Sequence, residues 1–251
     1  MQSIDAASIG TLDLRMPISP VADLISRGKV VGSFGSAKAL SDCRKIEVFA
    51  ACDLVEIRLD VLRQQGVVPD RSLWSQLSGI PLLFTARRQE EGGASPLDAA
   101  QRADLLRLCF DEAALIDVEV ASISEMKDLL EDARKKAVPW IASYHDFEKL
   151  PDSAALKEAL VAAKEAGAAV FKAAARLSSP ADLARLADFQ LENHGIPVAT
   201  MGMGPLAPAS RLLCAQCGSV LNYGFLGETA TAPGQWPAEL LRRAISGSDS
   251  I

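Results

Sequence analysis

The chain has 251 residues, 49% of them hydrophobic, and a formal net charge of -6. That length can bury a sizeable core in one domain. The acidic balance supplies no basic field for gripping a phosphate backbone or an anionic lipid surface, which argues against nucleic-acid and membrane partners and for a small molecule.

The opening MQSIDAASIG lacks both a cationic and an apolar leader region, and no apolar run reaches the length of a membrane span, so a cytoplasmic protein is expected. Short β-rich apolar runs begin near Val30, Leu54, Leu82, Leu115, Trp140, Ala169, Pro197 and Val220. Between them lie helix signals: Ser122 with Glu125 as a capping box, Ser179 ahead of Pro180 at a first helical position, and Gly167 and Gly195 as stops. Eight β/α repeats in a chain this size predict an α/β fold, a single (β/α)8 TIM barrel over residues 28–251, with residues 1–27 as a lead-in closing its base. Gly202 and Gly204 form only GxG, short of a dinucleotide-binding fingerprint. The five cysteines suggest reduced thiols. Cys214 and Cys217 make a CxxC without a second pair or a nearby His, so they are expected to pack in a helix rather than bind metal.

Strand two, LVEIRLD, alternates so that Glu56, Arg58 and Asp60 share one face and Val55, Ile57 and Leu59 the other. The apolar face meets the helices, which turns the charged one into the barrel. Thr85 and Arg87 in strand three, Asp117 and Glu119 in strand four, and Ser143 and His145 in strand five repeat the pattern. Ionisable groups at strand C-terminal ends predict an active site there, the alternative being a buried ion-pair network. His145, closing strand five in SYHDF, can take and return a proton, whereas His194 falls in a turn at the opposite face. Lys172, in AAVFKAAA, is the one lysine well inside a strand. It is either an amine activated by desolvation and neighbouring arginines for attack on a carbonyl, or a structural lysine paired with Glu56 or Glu119. Arg211 offers a two-pronged contact to a carboxylate or phosphate. TATAPGQW brings Thr231 and Gln235 to the same rim on a loop able to close as a lid.

Taken in order, EIRLD, FTARRQEEGG, IDVEV, SYHDF, VFKAAA, ATMGM, ASRL and TAPGQ resemble type I 3-dehydroquinate dehydratase, from about Val30 to Gln235. The resemblance implies a (β/α)8 barrel and a hydro-lyase of the shikimate pathway that converts 3-dehydroquinate to 3-dehydroshikimate by syn elimination. It implies no metal or organic cofactor, only a covalent imine with Lys172. It makes His145 the general acid and base, oriented by Glu91. Arg211, Thr231 and Gln235 would hold the substrate carboxylate; Glu56, Arg58 and Arg87 would meet hydroxyls; Ser33 would add a contact; and Met201 and Met203 would pack on the ring. The family is commonly dimeric, which admits a homodimer. Thr231 stands where the family commonly has serine, and Tyr144 where it has a smaller polar residue. Two rivals are weighed beside this reading, a class I aldolase and a catalytically silent binder of pathway intermediates.

Overall fold

The computed structural model describes residues 20–25 and 28–248. Eight strands run through it: β1 Lys29–Phe34, β2 Leu54–Arg58, β3 Leu82–Thr85, β4 Ala113–Glu119, β5 Trp140–Asp146, β6 Val170–Arg176, β7 Val198–Met203 and β8 Leu221–Leu226. They pair in parallel in the order β7-β6-β5-β4-β3-β2-β1-β8. At the seam the Val220 N–H donates to the Val198 carbonyl at 3.1 Å, so the sheet curls into a barrel. Parallel strands need long crossovers, and these carry most of the helices: α1 Pro20–Leu24 precedes β1, the crossovers hold α2 Ala37–Ser41, α3 Lys45–Ala51, α4 Leu59–Gln64, α5 Ala99–Leu108, α6 Lys127–Lys135, α7 Ser153–Glu165, α8 Pro180–Leu191 and α9 Ala207–Gln216, and α10 Ala238–Ser248 follows β8.

Alternation divides the core in two. Outward residues such as Val55, Ile57, Phe84, Ile116, Val118 and Phe171 pack against the helices. Inward, Val31, Leu54, Leu83, Leu115, Ile141, Val170, Ala199 and Leu221 fill the lower barrel, where full burial is worth roughly 1.5–3 kcal/mol for each large side chain. Two residues further along each strand, that aliphatic layer gives way to Ser33, Glu56, Thr85, Asp117, Ser143, Lys172, Met201 and Tyr223, all buried. The polar layer lies at the C-terminal end of the strands, the end where barrels of this kind carry their chemistry.

Four local expectations are corrected. β2 ends at Arg58, and Asp60 lies in the first turn of α4. β3 ends at Thr85, so Arg87 enters the barrel from the following loop. Ser122 caps no helix: it sits in a short 3-10 turn, its hydroxyl accepts from Arg102 at 3.1 Å, and α6 begins only at Lys127. Gly195 does not stop α8, which ends at Leu191; with φ +67° it turns the chain toward β7. Gly167, φ +82°, does follow the end of α7. Most of the expected lead-in lies outside the described residues; within it, Leu24 and Ile25 pack against the inner cluster. The cysteines are free, and Cys214 is buried in α9 with its thiol pushed up to about 11 by desolvation. Among the described residues no helix is long and apolar enough to cross a membrane.

The start of α8 is held by a reciprocal cap in which Ser179 accepts from the Asp182 N–H and the Asp182 side chain accepts from Ser179. Ser179→Ala should therefore lower the unfolding free energy by about 1 kcal/mol in urea titration. An unchanged midpoint would show that the cap contributes nothing.

Candidate active site

A cavity opens at the C-terminal mouth of the barrel, walled by Glu56, Arg58, Arg87, Glu91, His145, Lys172, Met201, Met203, Arg211, Thr231 and Gln235. Of the residues to which the resemblance gave a catalytic or binding role, only Ser33 is not on the wall; Asp60, Thr85, Asp117, Glu119 and Ser143 lie behind it. Ser33 lies beneath, donating from Oγ to Glu56 Oε2 at 2.5 Å while Thr85 donates to Oε1 at 2.8 Å. Both Glu56 oxygens thus accept a buried hydroxyl, which fixes the carboxylate's plane.

Lys172 projects from β6 with its Nζ 2.6 Å from Asp117 Oδ2 and 4.6 Å from the centre of the Tyr223 ring. Its partner is Asp117 on β4 rather than Glu56 or Glu119. Glu119 accepts Arg87 at 2.8 Å and Arg102, reaching in from α5, at 2.6 Å. Arg87 in turn lies 2.9 Å from Asp117 Oδ1, which also accepts the Ser143 hydroxyl. Burial pushes the Lys172 ammonium below its ordinary pKa; Asp117 opposes that shift and Arg87 adds to it. Burial alone would raise Asp117, but the Arg87 and Lys172 charges outweigh it and hold the carboxyl well below the usual range.

His145, near the end of β5, is fixed by Glu91 from the β3–α5 connection. One carboxylate oxygen, Oε2, accepts the His145 backbone N–H at 3.0 Å and stands 2.9 Å from Nδ1. That contact favours the proton on Nδ1, leaving the Nε2 lone pair as the ring's base. Burial, with Arg87 and Lys172 nearby, pulls the imidazole well below its ordinary pKa, so it is neutral at neutral pH. The loop bearing Glu91 is pinned from below. Asp60 takes the Arg58 guanidinium two-pronged, at 2.9 and 2.7 Å, and accepts the Ala94 N–H at 2.9 Å. At Gly92, φ +84°, a Cβ would lie 2.5 Å from the Phe147 ring, so only glycine lets that ring close over the loop.

Across the cavity, Arg211 rises from α9, almost fully buried. One Nη1 donates to the Tyr223 carbonyl at 2.6 Å, while Nε has no partner. Among the described residues no carboxylate pairs with it, and burial alone brings its pKa down to about 10. Beside it, Gln235 Oε1 accepts both the backbone N–H and the hydroxyl of Thr231 at 2.8 Å. This last loop is docked on its neighbour: the Gly204 N–H donates to Pro233 O at 3.2 Å, and a Cβ on Gly234, φ +75°, would meet Gly204 O at 2.4 Å. Among the described residues no group of three or more His, Cys, Asp or Glu is placed to hold a metal ion. Tyr223 and Phe147 also line the cavity and were not anticipated. Tyr223 was accessible to the same alternation that found Lys172, two residues beyond inward-facing Leu221. Tyr144 packs outward against the helices, away from the cavity.

Burial raises the Glu91 carboxyl to about 7, above the roughly 4.3 of an exposed glutamate. The native state therefore keeps a proton that the unfolded chain loses, and the cost of the buried charge is full above pH 7 and absent below about pH 4.3. Glu91→Gln should accordingly gain more stability over wild type at pH 8 than at pH 4.5, measured by denaturant unfolding. An equal difference at both values would mean that Glu91 does not titrate in this window.

The family model for type I 3-dehydroquinase matches residues 35–250. A 3-dehydroquinate dehydratase from Shouchella clausii is 33% identical over 209 residues, covering 78% of this chain and 81% of its own. Another from Methanococcoides burtonii is 30% identical, covering 89% of this chain and 95% of its own. Among solved structures, the type I enzyme from Clostridium difficile with covalently modified comenic acid superposes with a TM-score of 0.77 at 27% identity, over 90% of this chain and 94% of that one. The carboxyl transferase domain of Rhizobium etli pyruvate carboxylase, at 15% identity and a TM-score of 0.63, shares the fold alone. With the matched span covering every residue of the cavity wall, the chain belongs to the type I 3-dehydroquinase family of hydro-lyases.

Proposed function

We propose that the chain dehydrates 3-dehydroquinate to 3-dehydroshikimate through an imine on Lys172, with His145 moving both protons. The observation that carries this reading is the buried Lys172 amine, its pKa depressed, sharing one cavity with a neutral imidazole held by Glu91.

The neutral Lys172 amine adds to the C3 ketone, and loss of water gives a protonated imine. The imine acidifies C2, so His145 Nε2 takes a C2 proton and an enamine forms. The enamine expels the C1 hydroxyl as His145 returns that proton to the departing oxygen, leaving a conjugated imine that water hydrolyses to the enone. Because one base serves both transfers, both take place on one face of the ring. Asp117 holds the amine in place, and Glu91 stabilises the imidazolium while the proton is in transit. Arg211, flanked by Thr231 and Gln235, supplies the charge for the substrate carboxylate. Glu56, Arg58 and Arg87 meet ring hydroxyls, and Met201 and Met203 cover the ring. The covalent imine makes an organic cofactor or metal unnecessary to the chemistry.

Incubation with 3-dehydroquinate followed by borohydride should leave a mass adduct on Lys172, while the enone appears in the ultraviolet. Lys172→Ala should abolish the adduct. His145→Ala should still form it but lose about 10²–10⁴-fold in kcat. Normal turnover by His145→Ala would remove that histidine from the mechanism. An adduct formed only with an aldol substrate would indicate an aldolase, and ligand binding without any adduct a silent binder.

A further inference from the structure

The hydroxyls of the polar layer are nearly all spoken for. Ser33 and Thr85 donate to Glu56, and Ser143 donates to Asp117. The exception is Tyr223. Its side chain comes from β8, is 5% exposed and lines the cavity, yet its hydroxyl has no hydrogen-bond partner among the described residues. A buried hydroxyl left without a partner costs about 1–3 kcal/mol, and a phenyl ring would fill the same space and offer the same face to the Lys172 amine without that cost. Burial, reinforced by the Glu56 and Asp117 charges, pushes the phenol well above its ordinary pKa, so it keeps its proton and is available as a donor.

We propose that Tyr223 is a further substrate-contacting residue, its hydroxyl donating a hydrogen bond to a substrate oxygen borne on or beside the carbon joined to Lys172. The placement follows from the 4.6 Å between Lys172 Nζ and the ring centre, which lays the phenol alongside the amine and within reach of groups next to the new C–N bond. The ligand class is a hydroxylated cyclic ketone. On a fully apolar wall such a hydroxyl would be stripped of water with nothing in return; here the phenol and the ligand satisfy each other.

This inference rests on the proposed imine at Lys172, and the experiment separates the two. Tyr223→Phe keeps the ring and removes only the oxygen. In the free enzyme it should leave thermal stability equal to wild type or higher. With 3-dehydroquinate it should lower kcat/KM by about 3- to 10-fold, mainly through KM, while borohydride still traps the Lys172 adduct. A kcat/KM equal to wild type, or a free enzyme destabilised as much as catalysis is weakened, would overturn the role of the hydroxyl. Wild-type protein giving no adduct at Lys172 would overturn the imine reading and this inference with it.

Discussion

Inside the barrel, the Asp117 carboxylate sits between the Lys172 ammonium and the Arg87 guanidinium, and much of what surrounds it follows from the cost of holding those three charges out of water. Each buried ion carries a penalty of several kcal/mol, offset only when partners are close and remaining hydrogen-bonding sites are filled. Ser143 fills one such site on Asp117. Arg87 is shared with Glu119, and Glu119 with Arg102, so the chain of charges ends on a helix outside the barrel. The aliphatic layer below removes water from the floor and strengthens every interaction in the chain. The network fixes the position of the lysine, while burial, aided by Arg87, loosens the hold on its proton.

Four cations around the cavity have carboxylate partners. Arg58 pairs with Asp60, Lys172 with Asp117, Arg102 with Glu119, and Arg87 with both Asp117 and Glu119. Among the described residues Arg211 has none, and burial without a counter-charge depresses its pKa. A ligand carrying a carboxylate completes the set, whereas a neutral ligand of the same shape would leave the guanidinium as it is. Charge accounting thus favours an anionic substrate independently of any likeness to other proteins.

The barrel and most of its mouth were legible in the sequence because period-two alternation is a strong signal wherever one face is wholly apolar. Glu56, Asp117, Ser143 and Lys172 break an aliphatic pattern and could only point inward. The pattern failed where strands stop. Asp60 and Arg87 continue the alternation in register although the backbone has already turned, so a one-dimensional reading extends the strand through them. Ser122 matched a capping box, but its hydroxyl was claimed by Arg102 from a distant helix, a competition no local motif records. The partner of Lys172 was missed for a similar reason: Glu56 or Glu119 was expected, but Ser33 and Thr85 hold Glu56, and Glu119 is held by Arg102, which lies in a helix and gave no sign of facing inward. Tyr223 obeys the alternation but was not singled out, since an unpartnered hydroxyl is visible only in three dimensions.

Asp60 is fully buried, does not line the cavity, and sits in the first turn of a peripheral helix. Yet it holds both Arg58, which does line it, and the backbone at Ala94, three residues beyond Glu91. The entry angle of α4 is therefore transmitted through two oxygen atoms to the hand that steadies the imidazole. A map of positions intolerant to change would show a deep spot here, remote from ligand and easily mistaken for ordinary core. The hydrogen-bonded support of the cavity thus extends one residue layer beyond its wall.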